Sequence, residues 1–364
     1  MNDSLYHIAI TRIPLVGAIT ARTLISYCGS AEAVFKAKKR ELLKIPDIGE
    51  RIVANICNSN VLAVAETELQ FLEKNKIKSL FYLDDAYPLR LKHYQDSPVL
   101  LYYKGTVDLN APRIVSIVGT RSPTPQGLSI CEEVVEGLQA YDVLVLSGLA
   151  FGIDAAAHKK CVELSIPTIG ALGHGFDQLY PPQHRQLADK MVLNGGLLTE
   201  YPSHTKLDPR NFPMRNRIIA GLCDALIVVE TGIKGGSMIT AHMANEYNKD
   251  VFAVPGRVKD KQSQGCNHLI KTHKAALIES TADIAYVMRW EELDAQKQIQ
   301  QQLFVELSEE EKIIVALLHQ KEALGIDQLL LETRTSSSEL ATTLLSLEFK
   351  GVLRSLPGKR YVLV

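Results

Sequence analysis

The six cysteines of this 364-residue chain never approach a Cys-x-x-Cys spacing. Cys28, Cys57, Cys131, Cys161, Cys223 and Cys266 are scattered, which excludes a zinc module of ordinary ligand spacing and a disulfide framework. Thiols isolated in helix or strand patterns read as small buried hydrophobes. Long apolar runs are also missing; none approaches the roughly 20 residues that cross a bilayer as a helix. The start, Met1-Asn2-Asp3-Ser4, lacks the basic and then apolar layout of a signal peptide. The expected compartment is therefore the cytoplasm, with no membrane contact. An excess of one charge sign is lacking too: 40 Lys and Arg against 41 Asp and Glu leave a net charge of −1. That argues against coating a polyanion by bulk electrostatics, but it leaves room for a local basic groove.

What remains is a globular mix, 46% hydrophobic and 22% charged, long enough for two or three domains. The first 75 residues carry an internal repeat. Ile13-Pro14-Leu15-Val16-Gly17 returns as Ile45-Pro46-Asp47-Ile48-Gly49, and each copy leads into a helical pattern. This resembles a helix-hairpin-helix, whose backbone N–H groups hold a phosphate. The other reading is a plain αα-hairpin with glycines for tight turns. From 76 to 290 short apolar runs alternate with stretches of crossover length: Ile114–Val118, Val143–Leu146, Thr168–Leu172, Gly196–Thr199, Ala225–Val229 and Val251–Val254. Such alternation predicts an α/β domain, a Rossmann-like, doubly wound, mostly parallel sheet with helices on both faces. Ligands bind such sheets beyond the carboxyl ends of the strands. Residues 291–306 read as a polar, Gln-rich linker. Ser308 and Glu311 then predict a capping box opening a helix to Gln320. Helices near 326–331 and 337–350 and a terminal hairpin turning at Pro357-Gly358 complete a winged-helix-like domain, 307–364.

Three stretches carry the chemistry. Phe212 to Gly221 sets Arg215, Asn216 and Arg217 at the start of an apolar helix, where guanidinium forks match phosphate oxygens. The alternative is a solvated helix start with salt bridges to the strand-end acids Glu200 or Glu230. Thr231 to Ala241 follows a strand with glycines, Lys234 and Ser237, a backbone cradle for an anion. It lacks the Walker order, so nucleotide hydrolysis is not expected. Ser147 to His158 puts Ser147 and Gly148 at a strand end, with Phe151 at the rim to stack on an unpaired base. Asp154 and His158 share a helix face as a polar pair; without a third ligand they do not make a metal site. Neither a metal nor a cofactor is expected.

These stretches resemble the DNA-processing protein A family, also called Smf. Its Gly-Thr/Ser-Arg is met by Gly119-Thr120-Arg121, and its Ser-Gly-x-Ala-x-Gly-Ile-Asp-x-x-Ala-His by Ser147 to His158. Gly173, Gly175, Asp177, Tyr180 and Pro181 meet another of its motifs, Phe212 to Leu222 a fourth, and Ser263 to Ile270 a fifth. The resemblance spans roughly residues 80–280. It implies a single-stranded-DNA-binding protein that protects incoming or processed strands in transformation and recombination. It further implies loading of the RecA recombinase and a homodimer formed through the core. Carried onto this chain, the DNA pocket is Arg121, Ser147, Gly148, Phe151, Arg215, Asn216, Arg217, Lys234, Gly235 and Ser237. The doublet Gly235-Gly236 departs from the family's Ser-Gly.

Two other functions compete. A Rossmann-like nucleotide phosphoribohydrolase of the lysine-decarboxylase-like type needs Pro-Gly-Gly-x-Gly-Thr-x-x-Glu; here Ala241-His242 follow Thr240, and that acid is missing. A duplex regulator would act through the winged helix, yet the stretch from Ser336 to Glu348 holds two acids and no base, which suits a phosphate-lined groove poorly. No enzymatic role is expected.

Overall fold

The structure is a computed structural model describing residues 3–58, 60–291, 307–320, 324–333, 335–350, 352–356 and 360–363. The expected linker, apart from residue 291, and the Pro357-Gly358 turn lie outside the described residues. Two compact units emerge, Met1–Trp290 and Glu291–Val364.

In the first unit, helices α1 (Asp3–Arg12), α2 (Ala18–Cys28), α3 (Ala31–Lys36), α4 (Lys39–Leu42), α5 (Glu50–Asn58) and α6 (Val61–Lys74) come first. The repeated segments form two hairpins of the same kind. The middle residue of each, Leu15 and Asp47, has positive φ (69° and 62°), and each turn closes on its isoleucine, Val16 N–H to Ile13 and Ile48 N–H to Ile45. The Asn55 side chain donates to the Pro14 carbonyl at 2.9 Å and ties the two hairpins together. The helices bury Ile8, Leu24, Leu42 and Val53 against Phe81, Leu100 and Tyr102 of the sheet. Buried Glu68 accepts the Ser203 N–H and hydroxyl, and His7 stacks on Phe81 with ring centroids 3.7 Å apart. The helical segment and the sheet are thus one packed body.

The sheet has nine strands in the order β1-β2-β6-β5-β4-β3-β7-β8-β9. These are β1 (Lys78–Phe81), β2 (Leu100–Gly105), β3 (Ile114–Val118), β4 (Leu144–Ser147), β5 (Thr168–Leu172), β6 (Gly195–Thr199), β7 (Ala225–Val228), β8 (Asp250–Ala253) and β9 (Ala276–Leu277). Strands β3 to β9 pair in parallel, whereas β2 runs antiparallel to β6 and β1 antiparallel to β2. The seven-strand parallel array carries the expected alternation of strand and helix: α8 (Pro125–Leu138), α9 (Ile153–Glu163), α10 (Arg185–Leu193), α11 (Asn211–Leu222), α12 (Gly236–Glu246), α13 (Gln264–Lys271) and α14 (Thr281–Met288). Short α7 (Leu89–Lys92) precedes β2 in the chain. β3, β4, β5 and β7 are buried at every residue, as strands covered on both faces must be. From β3 the chain steps outward through β4, β5 and β6, then returns to place β7 on the other side of β3. The strand order reverses there, and the crevice beyond β3 and β7 is the expected ligand position.

The second unit holds α15 (Glu309–Gln320), α16 (Ile326–Thr333), α17 (Ser337–Phe349) and a three-stranded sheet of β10 (Leu324–Gly325), β12 (Arg360–Leu363) and β11 (Leu353–Leu356). Ile314, Leu318, Leu329, Leu340, Leu344, Leu347 and Leu353 form its core. The Ser308–Glu311 capping box is present in both directions, with bonds of 2.8 and 3.2 Å.

Candidate functional site

A cleft of about 510 Å³ opens at the switch point. Its walls are the end of β3 (Gly119, Thr120, Arg121), the turn and first residues of α12 (Thr231 to Ser237), the start of α11 (Phe212 to Asn216) and Gln262. The backbone is drawn tight here. The Thr120 N–H donates to the Glu230 carbonyl at 2.7 Å, and the Thr120 carbonyl accepts the Ile153 N–H. Gly152, at φ +81°, sits so close under Thr120 that a Cβ would strike that carbonyl. Gly235 caps α12 in extended geometry and its carbonyl takes the Met238 N–H at 3.1 Å, which leaves the N–H groups of Gly236 and Ser237 at the helix start as donors. Ser237 is only 7% exposed, lines the cleft, and its hydroxyl has no partner among the described residues. A buried hydroxyl of this kind is stabilised by a ligand that bonds it.

The charges divide into two kinds. Arg121 and Lys234 are exposed on the cleft, and neither makes an ion pair among the described residues. The Arg121 guanidinium lies 5.9 Å from the centroid of the Phe212 ring, so a cation and an aromatic face share the rim. Arg215 also lines the cleft but is 4% exposed. It donates to the Gly148 carbonyl at 2.7 Å and to the Ala171 carbonyl, clamping the ends of β4 and β5. Burial pushes it down to about 10, opposed by the nearby Asp154 carboxylate. Burial likewise raises Asp154, against the pull of Arg215. Gly148 is where this pair packs: a Cβ there would lie 2.7 Å from both Arg215 Nη2 and Asp154 Oδ2.

Of the ten residues expected in the pocket, Arg121, Arg215, Asn216, Lys234, Gly235 and Ser237 line the cleft. Arg217 is held elsewhere. It pairs with Glu200, itself raised by burial, and donates to the Asp96 carbonyl. The salt bridge allowed for in the sequence is the one that forms. Ser147 is fully buried and donates to the Ile117 carbonyl at 2.6 Å. Phe151, 42% exposed, stands edge-on to His184 outside the cleft lining. Asp154 and His158 do not pair. His158 bonds the Thr168 hydroxyl at 2.7 Å and is lowered to about 3 by burial. Glu230 accepts the Thr124 hydroxyl and N–H at 2.6 and 2.9 Å. Both strand-end carboxylates are therefore engaged structurally. Gln262 lines the cleft without having been singled out, and Phe212, Thr120 and Thr240 line it from within stretches the sequence marked, though none was assigned to the pocket. The aromatic beside two arginines was the one readable signal among them.

Fold and cleft together define a class: a doubly wound α/β protein with a crevice at its switch point lined by Arg121, Arg215 and Lys234, carrying helix-hairpin-helix and winged-helix elements. The chain belongs to the DNA recombination-mediator protein A family, whose model matches residues 78–289; a DprA winged helix domain matches 301–359 and a helix-hairpin-helix motif 10–59. It is 32% identical to Protein Smf of Synechocystis, over 99% of this chain and 98% of that protein. It is 35% identical to the DNA processing protein DprA of Streptococcus pneumoniae, over 69% of this chain and 95% of that protein. The X-ray structure of the pneumococcal protein superposes with a TM-score of 0.68 at 32% identity, covering 80% of this chain and 99% of that one. The Helicobacter pylori DNA processing protein A, solved for its single-stranded DNA binding mode, gives 0.53 at 27% identity, covering 58% of this chain and 95% of its own.

Proposed function

We propose that the switch-point cleft binds single-stranded DNA, in the service of DNA recombination and transformation. The observation that carries this reading is the pairing of two cations without an ion pair among the described residues, Arg121 and Lys234, with the half-buried Phe212 ring and a buried Ser237 hydroxyl that has no partner among those residues. Phosphate is taken by the cations and the α12 N-terminus. An unpaired base stacks on Phe212, a contact that a duplex cannot offer without unstacking. The Helicobacter relative's single-stranded DNA mode supports the same choice. Glu200 and Glu230 are held in structural bonds, and Asp154, the carboxylate that lines the cleft, is buried beside Arg215, which supports binding over a hydrolase reading. By resemblance, the protein also hands the strand to RecA and acts as a homodimer in the cytoplasm; RecA filament growth on strands pre-coated with it, and its mass in solution, test these.

The decisive experiment is fluorescence anisotropy with labelled single-stranded and duplex DNA across a salt series. The expected result is a single-strand preference whose salt slope shrinks by about 0.7 for each of Arg121→Ala and Lys234→Ala. Phe212→Ala should lose about 1–3 kcal/mol with the slope intact. Equal binding of both DNA forms, unmoved by these changes, would remove the cleft from the site.

A further inference from the structure

Beside the first cleft lies a second, of about 680 Å³, beyond the ends of β7 and β8. The two abut along the chain itself. Thr231 and Gln262 line the first, and their neighbours Glu230 and Ser263 line the second. The dividing ridge is tied by the Thr231 N–H to the Gln262 carbonyl at 2.7 Å, and by the Gln262 amide to the Ser122 carbonyl at 3.1 Å. The outer lip of the second cleft is the loop of residues 255–262, with Arg257, Lys259 and Lys261 exposed and Val258 85% exposed. None of the three cations has an ion pair among the described residues. Two successive turns, Asp260 N–H to the Arg257 carbonyl and Ser263 N–H to the Asp260 carbonyl, fix the loop's backbone. Its cations are thus presented from an ordered frame, which reduces the ordering cost of binding.

We propose that this loop carries a second stretch of the DNA strand, with phosphates on Arg257, Lys259 and Lys261, continuing the path out of the first cleft. The inference rests on the cleft binding single-stranded DNA. The second floor is apolar, from Ile130, Val229 and Val254, with the Glu230 carboxylate held by Thr124. A carboxylate there repels phosphate, while on the lip Arg257, Lys259 and Lys261 outnumber the one exposed acid, Asp260, and attract it. The backbone therefore runs along the lip and the bases turn inward to the floor.

The test uses the whole chain and two oligothymidylates, of about 4 and about 16 nucleotides, which bracket common single-strand site sizes. The variant Arg257→Ala/Lys259→Ala/Lys261→Ala should lower the salt slope on the longer strand by about 2, at roughly 0.7 per contact. Its affinity for that strand should fall several-fold, while the shorter strand binds as before. The charge-conserving Lys259→Arg/Lys261→Arg variant should keep wild-type behaviour on both. No effect on either length, or an equal effect on both, overturns the second stretch and leaves the loop a solvated surface. Arg121→Ala/Lys234→Ala is the control for the first cleft: if it leaves binding of the shorter strand intact, the cleft reading itself fails, an outcome the loop variant cannot produce.

Discussion

Arg215 gives its guanidinium to the carbonyls of Gly148 and Ala171 and balances the buried Asp154, whereas Arg121, lining the same cleft, is exposed and makes no ion pair among the described residues. Removing one partner of a buried ionic pair costs about 3–5 kcal/mol, while truncating an exposed side chain costs little. Arg215→Ala is therefore expected to lower the unfolding free energy by that much and shift the urea midpoint down, and Arg121→Ala to leave the midpoint in place while weakening DNA binding. Urea unfolding of both variants separates the roles; an Arg215→Ala protein as stable as wild type would return that residue to the ligand. His158 makes a second prediction at this scale. Burial lowers it to about 3, so the folded chain keeps it neutral where the unfolded chain, near 6.5, takes a proton. This contribution is complete above pH 6.5 and is lost as pH falls toward 3, by about 1.4 kcal/mol per unit. Asp154 and Glu200, raised by burial, act in the opposite sense, so the wild type is compared with His158→Gln. Between pH 7 and pH 5 the wild type should lose about 2 kcal/mol more than the variant; equal losses would mean His158 does not titrate on unfolding.

At the scale of elements, the buried parallel strands were legible and the edges were not. Ile114–Val118 and Thr168–Leu172 form strands with those bounds, and the other four expected runs fall within one residue of β4, β6, β7 and β8. Each is a β-branched or leucine-rich run between crossover helices, and that alternation has a period a sequence can show. β1 and β2 lie before the alternation starts and pair antiparallel without a crossover, so they carry no comparable signature; β9 is two residues long. The candidate site divides along the same line. Arg121, Lys234, Gly235 and Ser237 follow directly from strand ends, and the structure puts them in one cleft. Arg217 follows Arg215 by two positions, about 200° around a helix, which turns it away to Glu200. Phe212 and Gln262 reach the cleft through the path of long loops, which no local periodicity encodes.

For the whole molecule, the division at Trp290 has a mechanical consequence. Among the described residues, the buried clusters of the first unit draw on none beyond Ile284 and Ala285, with Met288 and Trp290 packed against one of them. Trp290 closes the unit from within, its ring 6.2 Å from that of Tyr141 and under the Arg113 guanidinium. The second unit has its own core, and its α17 offers Glu339 and Glu348 with no base before Lys350, which is bound to Glu311. A chain ending at Glu291 should therefore fold, melt in one cooperative transition, and bind single-stranded DNA with the salt slope of the full chain. The full chain should add a separate transition for the smaller unit, because each core is buried independently. Calorimetry and anisotropy on the two proteins check both halves. A truncated protein that folds but has lost several units of salt slope would mean that the winged-helix unit supplies phosphate contacts after all, through bases outside α17 such as Arg354 or Arg360.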